Sequence, residues 1–152
     1  MNFRPIISIE DSDEDFAALT HALRAAGVPN SLERCQSGAA AMALLRSPDG
    51  CPLADRASLI LLDLNLPGSD GLALLSEFRS QDPKRLVPVV VLSTSGHRKE
   101  IDECYRAGAN AYVVKPFDLD EWESKVGKLA NFWLHAAELP TRPRADGGGR
   151  RA

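Results

Sequence analysis

The sequence predicts an α/β fold, a doubly wound five-stranded parallel sheet in a single domain. Three observations carry this. Short apolar runs alternate with segments of helical periodicity along most of the chain. Two of those runs are unbroken by polar residues, as strands covered on both faces are. The length, 152 residues, suits one domain with a short appendage rather than two. Alternation at this spacing implies right-handed crossovers, with helices on both faces of the sheet.

Residues 5–9 (Pro-Ile-Ile-Ser-Ile) form the first strand and run straight into Glu10 and Asp11. Ser12-Asp13-Glu14-Asp15 resembles a capping box, a hydroxyl followed three residues on by an acid. Phe16, Leu19, Leu23 and Ala26 then recur every three or four residues, so one helix face is apolar. Gly27 and Pro29 end that helix. Leu32 to Cys35 gives a weakly signalled second strand, and Gly38 to Arg46 an alanine-rich helix. Pro48, Gly50 and Pro52 mark residues 47–57 as a loop.

Ser58-Leu59-Ile60-Leu61-Leu62 is the third strand, closed by Asp63. A loop follows, with Asp70 as the cap of a helix running through Arg79. Pro88 to Leu92 is the fourth strand, ending in Ser93-Thr94-Ser95-Gly96. A polar-faced helix over residues 97–107 stops at Gly108. Ala111 to Val114 is the last strand and leads into Lys115-Pro116-Phe117. Asp118 caps a final helix carrying Leu119, Trp122, Val126, Leu129, Phe132 and Trp133. The domain is expected over residues 1–140, and 141–152, rich in Gly and Arg, as a disordered basic tail.

Composition narrows the function. No apolar run reaches the ~20 residues of a membrane span, and the N-terminus lacks a signal peptide's apolar core, so a cytoplasmic protein without membrane contact is expected. Cys35, Cys51 and Cys104 are odd in number and form no CxxC pair, which points to free thiols. The tail holds four Arg against one Asp, leaving 14 Lys+Arg against 20 Asp+Glu in the remainder. A body that acidic does not suit nucleic acid.

Residues foreign to a core cluster at strand ends: Glu10 and Asp11, Asp63, Ser93 and Thr94, and Lys115. In an open parallel sheet these ends face one crevice, where such folds bind ligands. Three carboxylates gathered there require protonation of one or a divalent cation. Oxygen ligands favour a hard ion, Mg²⁺ or Mn²⁺. The acids total −3 and the ion with Lys115 +3, a balance that suits phosphoryl transfer to a carboxylate. Asp63, closing the most apolar strand, is the expected nucleophile, with the Ser93 hydroxyl and the Lys115 ammonium bonding the new oxygens.

This ordered set resembles bacterial response-regulator receiver domains, whose fold is flavodoxin-like (βα)5, over about residues 4–132. The residues that carry the likeness are Glu10-Asp11, Asp63 with Leu66-Pro67 and Asp70-Gly71, Ser93-Thr94 and Lys115-Pro116-Phe117. Their spacings agree as well, 93 − 63 = 30 and 115 − 93 = 22. The resemblance implies that Asp63 accepts a phosphoryl group from a sensor histidine kinase in two-component signalling, and that the protein is not otherwise an enzyme. It implies a metal held by Asp11, Asp63 and the Asn65 carbonyl, with Glu10 acting through water. It implies switch roles for Ser93 and Tyr112, tuning of dephosphorylation by Asn65 and Ser95, altered access at Thr94, and a cis Lys115–Pro116 bond.

Trp122 and Asn131-Phe132-Trp133-Leu134 lengthen the last helix, which resembles regulators paired with bacterial phytochromes. That likeness implies a homodimer through the fourth and fifth helices and the fifth strand. Adjacent Phe132 and Trp133 cannot both face one core, so one of them is expected to point outward into such a contact. The tail is too short to fold as an output domain, so the effect is expected through protein contacts. Two other readings remain at this stage. One is a phosphorylation-independent scaffold. The other is an aspartate-based phosphatase, which needs a second Asp where Asn65 stands.

Overall fold

The computed structural model describes residues 3–46 and 50–140. Five parallel strands, β1 (Ile6–Ile9), β2 (Leu32–Cys35), β3 (Leu59–Asp63), β4 (Val89–Ser93) and β5 (Ala111–Val114), stand in the order β2-β1-β3-β4-β5. Ile6 pairs with both Leu32 and Leu59, Asp63 with Leu92, and Ser93 with Val114. The predicted strands all form, and Asp63 and Ser93 are the last residues of their strands rather than the first beyond them.

The strands alternate with α1 (Asp13–Ala25), α2 (Gly38–Leu45), α4 (Gly71–Gln81), α5 (Arg98–Ala107) and α6 (Leu119–Ala130). A single turn, α3 (Leu53–Arg56), lies where a continuous loop was expected. It forms because Leu53 is buried beneath it, which a segment punctuated by prolines and glycine did not signal. Residues 47–49 of that loop and the predicted tail, 141–152, lie outside the described residues. The last helix leaves α geometry at Asn131 and continues as a wider π-helical turn to Ala136. None of the described helices is long and apolar enough to cross a membrane.

Strand alternation divides the core into two layers. Ile7, Ile9, Ile60, Leu62, Val89 and Val91 pack with Phe78, Leu75 and Cys104 on one face. Ile6, Leu59, Leu61, Val90 and Leu92 meet Leu19, Leu23, Trp122 and Val126 on the other. Cys35, Cys51 and Cys104 are free thiols, and burial pushes Cys104 up to about 11, out of reach of ordinary thiolate chemistry.

A buried guanidinium holds the base of the sheet. Arg79, at the end of α4, donates to the carbonyls of Gly108 and Val87, each at 2.7 Å, and to Asn110 Oδ1 at 2.5 Å. Asp82 lies 3.5 Å away and accepts from Leu86 N and Val87 N. Gly108 is required twice over. Its φ is +109°, and a Cβ there would sit 2.7 Å from Arg79 Cγ. Arg79→Ala leaves the Gly108 and Val87 carbonyls without this donor, and the buried Asp82 with its backbone bonds but no counter-charge. It is expected to cost on the order of 3 kcal/mol in urea unfolding, with the opposite, carboxyl end of the sheet unaltered. A loss below ~1 kcal/mol would show the network to be ornamental.

Candidate functional site

The sheet reverses its winding between β1 and β3, and the carboxyl ends of these strands open the crevice in which such folds bind. Glu10 follows β1 and is buried, Asp63 ends β3 and is buried, and Asp11 is exposed at the rim. One carboxylate oxygen from each lies within 4.8 Å of the others. All three donors are hard oxygens, a set that suits a divalent cation of the Mg²⁺ and Mn²⁺ kind rather than zinc. Glu10, Asp11, Asp63 and Lys115 are brought together at these strand ends, and Ser93 ends the neighbouring strand β4. Lys115 extends the β4–β5 pairing by one bond, its N–H donating to the Ser93 carbonyl at 2.7 Å. That pairing aims its side chain back over the crevice.

The Lys115 ammonium is the centre of the site. Nζ donates to Glu10 Oε2 at 2.9 Å, to Asp15 Oδ2 at 2.9 Å and to Asp63 Oδ2 at 3.0 Å. Its side chain is only 10% exposed. Burial by itself disfavours its charge, but bonds to Asp15 and Glu10 and the Asp63 charge outweigh that and raise its pKa above the ordinary lysine value. Glu10 is pushed up to about 7, chiefly by burial, with Lys115 pulling the other way. Asp63 Oδ1 accepts from Asn65 N at 2.8 Å, which fixes the carboxylate plane.

Around this centre, Ser93 is fully buried and its Oγ accepts from Ser95 N at 3.2 Å. Tyr112 Oη donates to the Ser95 carbonyl at 2.7 Å, tying β5 to the loop after β4. Asn65 and Thr94 are exposed at the mouth. The Lys115–Pro116 bond is trans, a correction to the expected cis bond, since no described peptide bond is cis. The bond from Lys115 N to Ser93 already sets the lysine's direction, and trans is the less costly form.

Two residues missed in the sequence belong here. The capping box accounts for only half of what Asp15 does. Its N–H does accept this role, donating to Ser12 Oγ at 3.2 Å, but its carboxylate turns to Lys115. The other is Arg34 on β2, whose Nε donates to the Glu10 carbonyl at 2.9 Å and whose Nη1 donates to Asp13 Oδ1 at 2.7 Å. Its guanidinium carbon lies 4.9 Å from the Phe16 ring centroid. Arg34 thereby braces the loop that carries Glu10 and Asp11, and nothing in the β2 pattern announced it.

Residues 6–127 match the response regulator receiver domain. The chain belongs to that family. Among its relatives is the response regulator Rcp1 of Synechocystis sp. (strain PCC 6803), 33% identical over 135 residues, which are 89% of this chain and 92% of Rcp1. The Mn²⁺-bound structure of Rcp1 superposes with a TM-score of 0.81 at 32% identity, covering 91% of this chain and 100% of Rcp1. The phosphorylated cyanobacterial phytochrome response regulator RcpA gives 0.80 at 36% identity, over 91% and 99% of the two chains. RPA3017, a response regulator in red-light signalling of R. palustris, gives 0.77 at 31% identity, again over 91% and 99%. This receiver is therefore a two-component response regulator of the kind that works with sensor kinases, and phosphorylation of an aspartate is its family's mechanism. Its (βα)5 flavodoxin-like fold is the predicted one, and its acidic cluster is fit for a divalent ion.

Proposed function

We propose that this receiver takes a phosphoryl group from the phosphohistidine of a sensor kinase onto Asp63, in the cytoplasm, and that the kinase is a bacterial phytochrome. The observation that carries this is the Asp63 carboxylate, bonded at 3.0 Å to a buried lysine and grouped with Glu10 and Asp11. An Asp63 oxygen forms the new P–O bond as the donor's P–N bond breaks. Lys115 and the Ser93 hydroxyl then bond the added oxygens. Glu10, Asp11 and Asp63, with the Asn65 carbonyl, would hold a divalent ion such as Mg²⁺, which would neutralise charge on the added oxygens. Asn65 and Ser95 stand at the mouth, where water must approach to hydrolyse the acyl phosphate. Catalysis is limited to the protein's own phosphorylation and dephosphorylation. The phytochrome assignment leans on RcpA and RPA3017, one a phytochrome regulator and the other a red-light one. Borohydride trapping after exposure to a small phosphodonor with Mg²⁺ is expected to place the acyl phosphate on Asp63. Labelling at another residue would overturn the reading, and no labelling at all would favour a phosphorylation-independent scaffold.

The output is a homodimer through α5, β5 and α6. β5 is an edge strand whose residues are all half-buried, and it borders a groove of about 430 Å³ with Leu129, Phe132 and Trp133. Trp133 packs against the core while Phe132 stays 55% exposed, its ring edge-on to Trp133 at 5.0 Å. Tyr112 lies in this groove and also bonds the loop after Ser93, so a Ser93 that moves toward a phosphoryl group alters the contact face. Phe132→Ala is expected to weaken self-association about tenfold or more in analytical ultracentrifugation. An unchanged dimer constant would remove Phe132 from the interface.

A further inference from the structure

We propose that Asp15 is a latch on Lys115, holding the ammonium in the unphosphorylated site and competing for it with a phosphoryl group on Asp63. The inference rests on Asp63 being the phosphoacceptor. An ammonium has three N–H donors, and all three of Lys115 are taken, by Glu10, Asp15 and Asp63. A phosphoryl group on Asp63 brings further acceptor oxygens into the same space, so the lysine must leave a carboxylate to serve them. Glu10 and Asp63 belong to the cluster that could hold a metal ion, whereas Asp15 does not. It is the partner the lysine can release without dismantling the ion site.

The local structure shows that this contact displaces another. A capping box would send the Asp15 carboxylate back to Ser12 N. Here Ser12 N donates to Glu10 Oε1 at 3.1 Å instead, and Asp15 keeps only the backbone half of the motif. Its carboxylate reaches across to β5. The other acids of that first turn do otherwise: Asp13 pairs with Arg34, and Glu14 is exposed. Asp15 adds a fourth negative charge to a site that three acids, one lysine and a divalent ion would leave neutral. Bonded to the same ammonium as Asp63, it lies within a Debye length of the phosphoryl position. Latch and charge act in one direction, against the phosphorylated state.

The test titrates the full chain with beryllofluoride, a phosphoryl mimic, at saturating Mg²⁺, following tryptophan fluorescence or NMR shifts. Asp15→Asn is expected to bind it about fivefold more tightly than the natural protein. The effect is modest because the Asp15 side chain is 49% exposed and solvent screens it. Asp15→Glu, which restores the charge, is expected to return affinity to within about twofold of the natural protein, a rescue that a merely structural residue would not show. Glu14→Gln removes a neighbouring charge that is not on the lysine, and is expected to leave affinity unchanged. Equal or weaker binding by Asp15→Asn overturns the latch, as does an equal gain from Glu14→Gln. A folded natural protein that binds no beryllofluoride overturns the phosphoacceptor reading and the latch with it. Normal binding without an Asp15 effect overturns the latch alone.

Discussion

Asp63→Asn is expected to lower phosphoryl uptake by about three orders of magnitude or more, from small donors and from a kinase alike. The substitution is close to isosteric. Its amide oxygen can still accept from Asn65 N, and Lys115 keeps Glu10 and Asp15. What disappears is the anionic oxygen proposed to attack phosphorus. Ser93 is a poor substitute, since it is buried and its Oγ already accepts from Ser95 N. The loss should therefore appear in the chemical step, with circular dichroism and unfolding still cooperative. Phosphoprotein gels with and without Mg²⁺ measure it. Labelling of the variant at the natural rate would show that Asp63 is a ligand of the site and not its nucleophile.

The fold was legible because its strands are buried on both faces. Residues such as Leu59–Leu62 and Val89–Leu92 have no polar alternation to confuse their reading, and caps at Ser12, Asp70 and Asp118 mark the helix starts. Each of those caps accepts the bond that the sequence assigned to it. The acids and the lysine were legible for a related reason, since a charge that closes an apolar strand must find a partner. What escaped were contacts with no local cost to advertise them. Asp15 and Arg34 would be unremarkable on any solvated surface, and only the parallel register that brings β2, β1, β3 and β5 to one end makes them neighbours of the site. The α3 turn escaped similarly, because Leu53 is one buried residue in a segment dominated by breakers. The π-helical turn at Asn131–Ala136 has no signal that we can name in the residues themselves.

Glu10→Gln is expected to stabilise the metal-free protein while disabling its ion site. Burial pushes Glu10 up to about 7 from an ordinary 4.5, so the folded state favours the neutral acid. A carboxyl whose folded pKa is raised costs stability wherever the unfolded chain would ionise it. That cost is absent below about 4.5, grows as pH rises toward 7, and is fully present above it. It amounts to about 3 kcal/mol. Glutamine removes the charge, and its amide oxygen is a weaker acceptor for Lys115 than the carboxylate, so a net gain of about 1–2 kcal/mol at pH 8 is expected. The gain should fade as the pH approaches 4.5. Mg²⁺ reverses the ranking. At a hundredfold excess over its dissociation constant, the ion adds about 2.7 kcal/mol to a protein that binds it only when folded. The natural protein should collect that increment and the variant little of it. Urea unfolding at pH 5 and pH 8, in chelator and in Mg²⁺, separates the contributions. A variant less stable than the natural protein at pH 8 in chelator would mean that the Glu10–Lys115 bond outweighs burial. A variant that keeps the full Mg²⁺ increment would place the ion away from Glu10.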